Sequence, residues 1–422
     1  MNSKLTAPTA KPVLIIGAGI SGLSTARLLT KHNISVIVFE QSSPERSQGY
    51  SITIRDWAYK PLLSDLGNTC VGDLERAVAV DRSLGGCGWI DLTLRDTSTG
   101  VTLLAPQPSK PDETEQALFR ANRTALRSWL SEGVDLRYEH KLKSFEGKAG
   151  DVKAIFESGI EVEGSLIVGA DGLHSTVRRT LLPHIKPALL PVVVFHGDVY
   201  MTRHQFESVL KPSLGDSNVL GGVGDNFNTP ITIANADKNG VHLDWSYSRP
   251  IQGAKDPLWM PDGAQTSSAP EQLLEEIAGK TLVPPFSMLL DTEAIKKDKV
   301  YNWLSRSVFI PRHNLDQATK QGVIFVGDSA HAMPIFGGEG GNHAMLDGVE
   351  LSRLFVARGC DENGQALRGE DLEFIARQFY DGAYKRCQDA VRRCRQRFAL
   401  LHRPLTEWRH LGEMAKLRAG KA

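Results

Sequence analysis

The sequence has little of what would mark a secreted, membrane or nucleic-acid-binding protein. It holds five cysteines in 422 residues, with no Cys-x-x-Cys pair, which argues against a disulfide framework or a zinc site. No apolar run approaches the ~18 residues of a membrane span, and the polar first ten residues predict no signal peptide. Lys plus Arg (49) equals Asp plus Glu (49), so no overall field attracts nucleic acid or an anionic membrane. These absences favour a soluble, cytoplasmic protein; they leave its oligomeric state open.

Glycine, in contrast, is abundant and clustered. There are 39 glycines in the chain, above the ~7% of an average protein. They concentrate in the stretches GAGISG, VGADG, GGVG and FGGEGG. Because glycine permits positive φ and close approach of the backbone to a ligand, this clustering predicts a large cofactor rather than loose linkers.

The first 40 residues have the pattern of a dinucleotide-binding βαβ unit. A buried strand over 13–16 passes through Gly-Ala-Gly-Ile-Ser-Gly into a helix, and a second buried strand over 34–39 ends at Glu40. A GxGxxG motif becomes specific in this context of strand, turn, helix, strand and acid. The alternative is a glycine-rich turn that binds nothing.

Each residue of this motif has its own expected role. Gly17 permits the tight turn, Gly19 lets the backbone approach a diphosphate, and Gly22 allows close packing of helix on strand. The diphosphate would face the helix N-terminus, where free N–H groups favour negative charge. Glu40 would accept hydrogen bonds from a ribose diol. The unit by itself does not separate NAD from FAD.

The pattern of buried parallel strands is interrupted and later resumes, which predicts an α/β nucleotide-binding domain with a second domain inserted in it. We assign residues 1–182 to the first part, with a short β excursion near 70–110, and residues 301–360 to the second part. Between them, 183–300 has the alternation and turns of a mostly antiparallel sheet. An apolar stripe with three- and four-residue steps predicts a long C-terminal helix within 361–422. A shorter helix is predicted over 119–130.

Two later stretches carry a family resemblance. Residues 169–178, GADGLHSTVR, resemble the GADGxxSxVR signature of the flavoprotein aromatic hydroxylases, and residues 327–334, GDSAHAMP, resemble their GDxxHxxxP signature. From about residue 12 to 360 the chain therefore resembles the single-component (class A) FAD-dependent monooxygenases of the para-hydroxybenzoate hydroxylase type. The resemblance implies a Rossmann-like FAD-binding domain made of the two outer parts and a substrate-binding role for the inserted sheet.

The resemblance also implies further contacts to FAD. Asp328 would bind the ribityl–phosphate portion, Asp171 would tie its loop to the cofactor, and Arg123, in an RxxL element, would reach the diphosphate or ribityl chain. The remaining implied contacts are Arg46 and Gly49 beside the flavin ring, and Gly340, Gly341 and Asn342 at the start of a helix facing its pyrimidine edge. Turn or capping roles for Asp328 and Asp171, and a solvated helix position for Arg123, are the alternatives.

The activity implied by the resemblance is oxygen insertion. NADPH or NADH reduces FAD, O₂ adds to give a flavin hydroperoxide, and one oxygen atom passes to an aromatic or polyketide- or alkaloid-type small molecule. The chain would supply no metal ligand and no covalent nucleophile. An FAD-dependent oxidase or reductase without oxygen insertion is the main alternative. A flavin-dependent halogenase is disfavoured because the chain has no WxWxIP stretch, and an FAD-stabilised binding protein is the non-enzymatic alternative.

The substrate is expected under the inserted sheet. In the predicted strand 241–249, alternate side chains share one face, and Trp245, Tyr247 and Arg249 on that face are our candidate pocket and catalytic residues. Tryptophan and tyrosine on such a strand also suit an ordinary core, and an arginine also suits the surface. His196 and His331 are possible bases, but His331 belongs to the cofactor motif, which favours a supporting role. The sequence alone does not single out a general base.

Overall fold

The computed structural model describes residues 11–45, 50–67, 70–105, 117–260, 268–358 and 367–419. Within these ranges the strands are β1 (Val13–Ile16), β2 (Val36–Phe39), β3 (Ser51–Arg55), β4 (Leu94–Asp96), β5 (Thr102–Leu104), β6 (Leu118–Asn122), β7 (Leu136–Arg137), β8 (Leu142–Lys148), β9 (Asp151–Phe156), β10 (Glu161–Gly164), β11 (Leu166–Gly169), β12 (Ala188–Leu189), β13 (Val192–Thr202), β14 (Val219–Gly224), β15 (Phe227–Asn228), β16 (Ile231–Ala236), β17 (Gly240–Pro250), β18 (Lys299–Asn302), β19 (Arg306–Ser307) and β20 (Val323–Phe325).

The helices of the same ranges vary from single turns to a rod of 33 residues. They are α1 (Ile20–Lys31), α2 (Asp56–Asp65), α3 (Val71–Val78), α4 (Arg123–Leu130), α5 (Thr176–Leu181), α6 (Arg203–Gln205), α7 (Lys211–Leu214), α8 (Glu271–Ala278), α9 (Phe286–Leu289), α10 (Thr292–Ile295), α11 (Arg312–Lys320), α12 (Asp328–His331), α13 (Gly340–Arg358), α14 (Gly369–Leu401) and α15 (Leu405–Ala419). None of these helices, in the part of the chain described, combines the length and apolar character needed to cross a bilayer.

A five-stranded parallel sheet, in the order β20-β11-β1-β2-β7, forms the first layer. Its central strand β1 lies in parallel register with both neighbours, so that Val13 is level with Leu166 and Val36. All four residues of β1 are buried, as expected for a strand covered on both faces. The carboxyl ends of β1, β11 and β20 are followed by the three glycine-containing motifs, which therefore meet at one edge of the sheet. The predicted Rossmann-like α/β fold is confirmed.

The second domain is built on a larger sheet in the order β18-β13-β17-β15-β14-β4-β5, with β16 pairing to β14 and β17. Its pairings are antiparallel except that β4 runs parallel to β14. The structure corrects two domain boundaries. Strands β4 and β5, from the excursion near 70–110, belong to this sheet, and β18 extends it to Asn302. Short strands far apart in sequence give no local signal of their pairing, which explains the difference.

The segment predicted as one helix over 119–130 is two elements. Residues 118–122 form β6, which pairs antiparallel with β3, and α4 begins only at Arg123. Asn122 caps that helix, because its side-chain oxygen accepts a hydrogen bond from the Ala125 N–H at 2.9 Å. Phe119 and Ala121 alternate into the core, a two-residue period that fits a strand better than a helix.

The predicted C-terminal helix is also divided. Helix α14 ends at Leu401, and α15 begins after Pro404. At the break, the buried His402 lies 2.8 Å (Nε2) from the Ser248 hydroxyl on β17. Trp408 of α15 then packs on Leu103 and Val223 of the large sheet. The C-terminal segment therefore joins the two domains rather than coating one of them.

Candidate cofactor and substrate site

The glycine turn after β1 has the shape that its sequence predicts. Gly17 has φ +109°, and a Cβ there would lie 2.5 Å from the carbonyl oxygen of Ala170, so a side chain is excluded by both conformation and space. A Cβ on Gly22 would overlap the Gly17 carbonyl oxygen. At Gly19 the nearest atom to such a Cβ is 3.8 Å away. Open space at the second glycine, in front of the N-terminus of α1, is what a diphosphate requires.

Glu40, immediately after β2, is anchored beside this turn. Its carboxylate accepts hydrogen bonds from the N–H of Ala18 and of Ser42, both at 3.0 Å. Arg127 of α4 donates to the Ala18 carbonyl at 2.9 Å and lies 3.9 Å from the Glu40 carboxylate. Arg127 is a residue of this site that was not predicted from the sequence. Its position four residues after Arg123, on the same face of α4, was a usable signal.

Asp171, in the loop after β11, orders the next helix. Its Oδ2 accepts hydrogen bonds from the N–H groups of Thr176 and Val177, at 2.6 and 3.1 Å, while its buried Oδ1 has no partner in the described part of the chain. The fully buried Arg178 of that helix donates to the Ser329 carbonyl at 2.6 Å. These bonds join the second glycine motif to the third.

The third motif is held from beneath by Asp347 of α13. Its buried carboxylate accepts a hydrogen bond from the Gly327 N–H at 2.7 Å and pairs with His331 at 2.6 Å and Arg386 at 3.0 Å. Burial opposes the charge on Asp347, but His331 and Arg386 outweigh it and hold the pKa of this carboxyl far below its usual range. His331 therefore has the supporting role that the sequence suggested.

The same cluster includes the Cys387 thiol, and His331, Asp347 and Cys387 could in principle share a cation. Burial opposes the protonation of His331, yet the charges of Cys387 and Asp347 raise its pKa well above the usual value. A protonated His331 and the Arg386 guanidinium already neutralise Asp347. His331, Asp347 and Arg386 therefore form a buried salt-bridge network.

Asp328, the next residue after Gly327, points the other way. It is exposed to solvent, yet it is surrounded by enough protein for the loss of hydration to raise its pKa, against the opposing charges of His331 and Arg123. An accessible carboxylate enclosed on its other sides lies in a cleft. A hydrogen-bond donor in that cleft, such as a ribityl hydroxyl, would satisfy it.

Arg123 lies near Asp328 in this cleft. Its guanidinium sits over the ring of Tyr50, 4.7 Å from the ring centre. One of its terminal nitrogens is buried and has no hydrogen-bond partner among the described residues. A buried guanidinium N–H without a partner is costly, and an anionic or hydroxylated ligand would remove the cost. This orphaned donor beside an open carboxylate fits the FAD that the motifs imply.

The start of α13 completes the cleft. A Cβ on Gly340 would stand 3.8 Å from the Asp328 carboxylate, and Gly341 lies against Ile20 and Ile52. The Asn342 side chain, in contrast, is already committed: its oxygen accepts from the Arg55 N–H at 2.7 Å, and its nitrogen donates to the Thr53 carbonyl at 2.9 Å. The Asn342 side chain therefore fixes β3 against α13, while the residue lies in the first turn of that helix, as predicted.

Two predicted cofactor residues, Arg46 and Gly49, lie outside the described residues. The other predicted FAD contacts converge on the edge formed by β1, β11 and β20. These are Gly17, Gly19, Gly22, Glu40, Arg123, Asp171, Asp328, Gly340 and Gly341.

The structure corrects the predicted substrate pocket. Trp245, Tyr247 and Arg249 do share one face of β17, but that face packs against α8 and α9 in the core of the second domain. The Arg249 guanidinium pairs with Asp256 and with Glu276, the latter at 2.6 Å, and the Tyr247 hydroxyl donates to the same Glu276. Alternation identifies which residues share a face, but it does not say which face meets the cofactor.

The opposite face of the sheet is the one that meets the first domain. His196 of β13 and Asp244 of β17 lie there, next to Ser51 and Arg120 of the β3–β6 pair. The rings of His196 and Trp303 are 6.0 Å apart, and Trp303 lies 5.7 Å from Tyr50. A line of contacts thus runs from the sheet to the Tyr50–Arg123 pair in the cofactor cleft. The even positions of strand 241–249 were the overlooked signal.

Two family models match the chain in agreement with this geometry. A model for an NAD(P)-binding Rossmann-like domain matches residues 15–54, which contain the first glycine turn. A model for an FAD-binding domain matches residues 296–367, which contain the third motif and α13. The fold and the cleft together define a flavoprotein of the class A hydroxylase type.

Curated relatives share almost the whole chain. It is 50% identical over 419 residues to the FAD-dependent monooxygenase adaC of Aspergillus niger, with 97% of each chain covered. It is 47% identical to the FAD-dependent monooxygenase vrtH of Penicillium aethiopicum, again with 97% of each covered. The chain belongs to the FAD-dependent monooxygenase family.

A solved structure supports the fold at lower sequence identity. HpxO of Klebsiella pneumoniae, crystallised with FAD and uric acid, is 19% identical and has a TM-score of 0.70, with 97% of this chain and 95% of that chain covered. This likeness supports the overall fold.

Proposed function

We propose that the chain inserts one atom of O₂ into an aromatic small molecule, with NADH or NADPH as the electron donor. The observation that carries the proposal is the cleft in which Asp328 and the orphaned Arg123 donor lie on the same side as the aromatic residues Tyr50 and Trp303. The side chains expected to contact the cofactor therefore adjoin an aromatic surface. Such an arrangement is needed if an aromatic substrate is to stack against a flavin ring.

The residues of the cleft fit FAD portion by portion. Glu40 would bind the adenosine ribose, the open turn at Gly19 would receive the diphosphate, and Arg123 and Asp328 would hold the diphosphate and ribityl chain. When bound, FAD would supply the electron transfer from NAD(P)H and the activation of O₂. The chain itself would bind and orient the two rings, and its apolar walls would exclude water from the reacting centre.

The dinucleotide donor is expected to dock transiently. The cluster Gly221–Gly224 lies inside β14 of the large sheet, with no βαβ turn around it, and so provides no second dinucleotide site there. Cytoplasmic location remains a proposal, which cell fractionation would test.

The test begins with the purified protein. We expect a bound flavin spectrum, oxidation of NADH or NADPH that an aromatic substrate accelerates, and ¹⁸O from ¹⁸O₂ in the product. Stoichiometric hydrogen peroxide with no labelled product across a panel of phenols would instead support an oxidase. Failure of the protein to take up added FAD would overturn the proposal altogether.

A further inference from the structure

A buried histidine–aspartate pair lies on the face of the large sheet that meets the cofactor domain. In the β13–β17 register His196 is level with Ser246, and Asp198 is level with Asp244. His196 and Asp244 are therefore diagonal neighbours on one face. The His196 Nε2 lies 3.7 Å from the Asp244 Oδ1, with side chains 15% and 8% exposed.

Asp244 is held in place by the first domain. Its carboxylate lies near the backbone of Ser51, and the Arg120 charge favours its ionised form, although burial raises its pKa to about 7. Arg120 is fixed by hydrogen bonds to the hydroxyls of Ser51 at 2.8 Å and Thr53 at 3.0 Å. The pair thus occupies the seam between the substrate sheet and the strands that border the cofactor cleft.

His196 lies next to Trp303, whose ring also contacts Tyr50. In the described chain, no hydrogen bond of 3.5 Å or less involves its ring, and Trp303 flanks it edge-on at 6.0 Å. The titratable groups around it are Asp244, Asp198 and Arg120, with Tyr301 beside it on β18. Burial lowers its pKa, against the charge of Asp198, which favours the neutral imidazole, the form that can accept a proton.

From this geometry we infer that His196, stabilised by Asp244, is the proton acceptor for an acidic hydroxyl group of the aromatic substrate. The substrate O–H bond breaks, the proton binds an imidazole nitrogen, and the electron pair stays on the oxygen as a phenolate. Asp244 stabilises the imidazolium that results. The phenolate makes the ring more electron-rich and so a better acceptor of an electrophilic oxygen atom. This inference rests on the proposed function and names the base that the sequence could not identify.

The test uses 4-nitrophenol as the probe, because its anion is yellow and its neutral form is not. Oxidised, FAD-loaded protein is titrated with the probe below the ionisation midpoint of the free phenol, and the difference spectrum against the same holoprotein reports the bound form. We expect the bound anion-to-neutral ratio to exceed that of the free phenol at least about tenfold, a shift of one pH unit or more. In His196→Gln the ratio returns to that of the free phenol, and Asp244→Asn lies between.

Two controls separate this effect from a general disturbance. His242→Gln changes an exposed histidine on the same strand that lies against Tyr200, and it should leave the ratio unchanged. The ether 4-nitroanisole has no proton to give, so its binding should not depend on pH or on His196. Flavin absorbance of each variant verifies that the cofactor cleft is intact.

Binding of 4-nitrophenol in its neutral form to the wild-type protein would overturn the inference whether or not any variant folds. Anion binding that persists in His196→Gln, or no binding by wild type, would overturn it too. Because the experiment involves no turnover, labelled product formed by a protein that fails this test would refute only the role of His196. The proposed monooxygenase function would then still stand.

Discussion

At the scale of the residue, the cofactor cleft works by leaving selected polar groups unsatisfied. Asp328 is accessible but crowded, and the Arg123 guanidinium has a buried nitrogen without a partner. Each arrangement costs free energy in the empty protein. A ligand with hydroxyl and phosphate groups recovers that cost, which ties cofactor affinity to these two side chains.

Substitution Asp328→Ala should strip most of the FAD from the purified protein. A carboxylate hydrogen bond is worth roughly twice a neutral one, and no neighbouring carboxylate in the described chain replaces it. The flavin absorbance per polypeptide measures the loss. Asp216→Ala, at a side chain 92% exposed, is the matched control and should retain FAD; full occupancy in Asp328→Ala would contradict the assignment.

Arg249→Ala should destabilise the fold rather than alter substrate affinity. Removal of the guanidinium leaves Asp256, which is fully buried, and Glu276 without their partner, and breaking a buried ion pair costs about 3–5 kcal/mol. Denaturant unfolding measures this loss. If Arg249→Ala has native stability but a raised KM for the substrate, Arg249 belongs to the substrate pocket after all.

The residues that could be predicted from the sequence are those whose constraints are local. Gly17 and Gly22 are fixed by a turn within ten residues, and Asp171 and Asp328 by motifs that carry their own context. His196 and Asp244 become a pair only after β13 and β17 align, and Arg249 meets Glu276 across 27 positions. Such relations depend on tertiary packing, which periodicity does not encode.

At the scale of the element, the contact between α13 and α14 supports the third glycine motif. Arg386 of α14 reaches Asp347 of α13 at 3.0 Å, and Asp347 holds the Gly327 N–H. Because its pKa is depressed in the folded protein, Asp347 stabilises the fold at pH values above about 4, and this stabilisation is lost as the pH falls. Because its pKa is raised in the folded protein, His331 stabilises the fold at pH values below about 6.5. This stabilisation is lost as the pH rises through the raised pKa.

Asp347→Asn should therefore lower the melting temperature most between about pH 5 and 6.5, where both contributions are present. The wild-type protein should have a stability plateau in that window, and the variant should lose it together with part of its FAD. Thermal unfolding across pH, monitored by circular dichroism and flavin release, checks both effects. An unchanged profile in the variant would show that the ion pair is not what holds the Gly327 loop.

Trp408→Ala tests the second C-terminal helix separately. Trp408 is 2% exposed and packs on the large sheet far from the cleft, so its removal should cost about 3–5 kcal/mol while the flavin spectrum stays unchanged. The control is Trp57→Ala, which removes an exposed tryptophan on α2. A loss of less than 1 kcal/mol in Trp408→Ala would mean that α15 contributes little to the fold.

At the scale of the whole molecule, the two domains are joined by buried polar contacts at the same seam that holds the site. Asn122 donates to the Ala234 carbonyl at 3.0 Å, and Ser51 to the Ile233 carbonyl at 2.8 Å. Cofactor binding on one side of this seam should therefore stabilise both domains together.

Added FAD should raise the unfolding free energy of the cofactor-free protein by about 2.7 kcal/mol at 100 times its Kd. We expect one cooperative transition that moves to higher temperature with FAD concentration. Differential scanning calorimetry would reveal it, with FMN, which lacks the adenosine ribose for Glu40, as the weaker comparison ligand. Two transitions, of which FAD shifted only one, would mean that the seam does not couple the domains.

The parallel pairing of β4 with β14 restricts how this protein can be recombined. The polypeptide from 183 to 302 alone would leave Gly221–Val223 with unpaired backbone groups at a new sheet edge, a known route to aggregation. A chimera that exchanges the substrate sheet with a relative must carry residues 94–104 along with it. Shuffling experiments that cut at the apparent domain boundary should yield insoluble protein, whereas two-segment exchanges should fold.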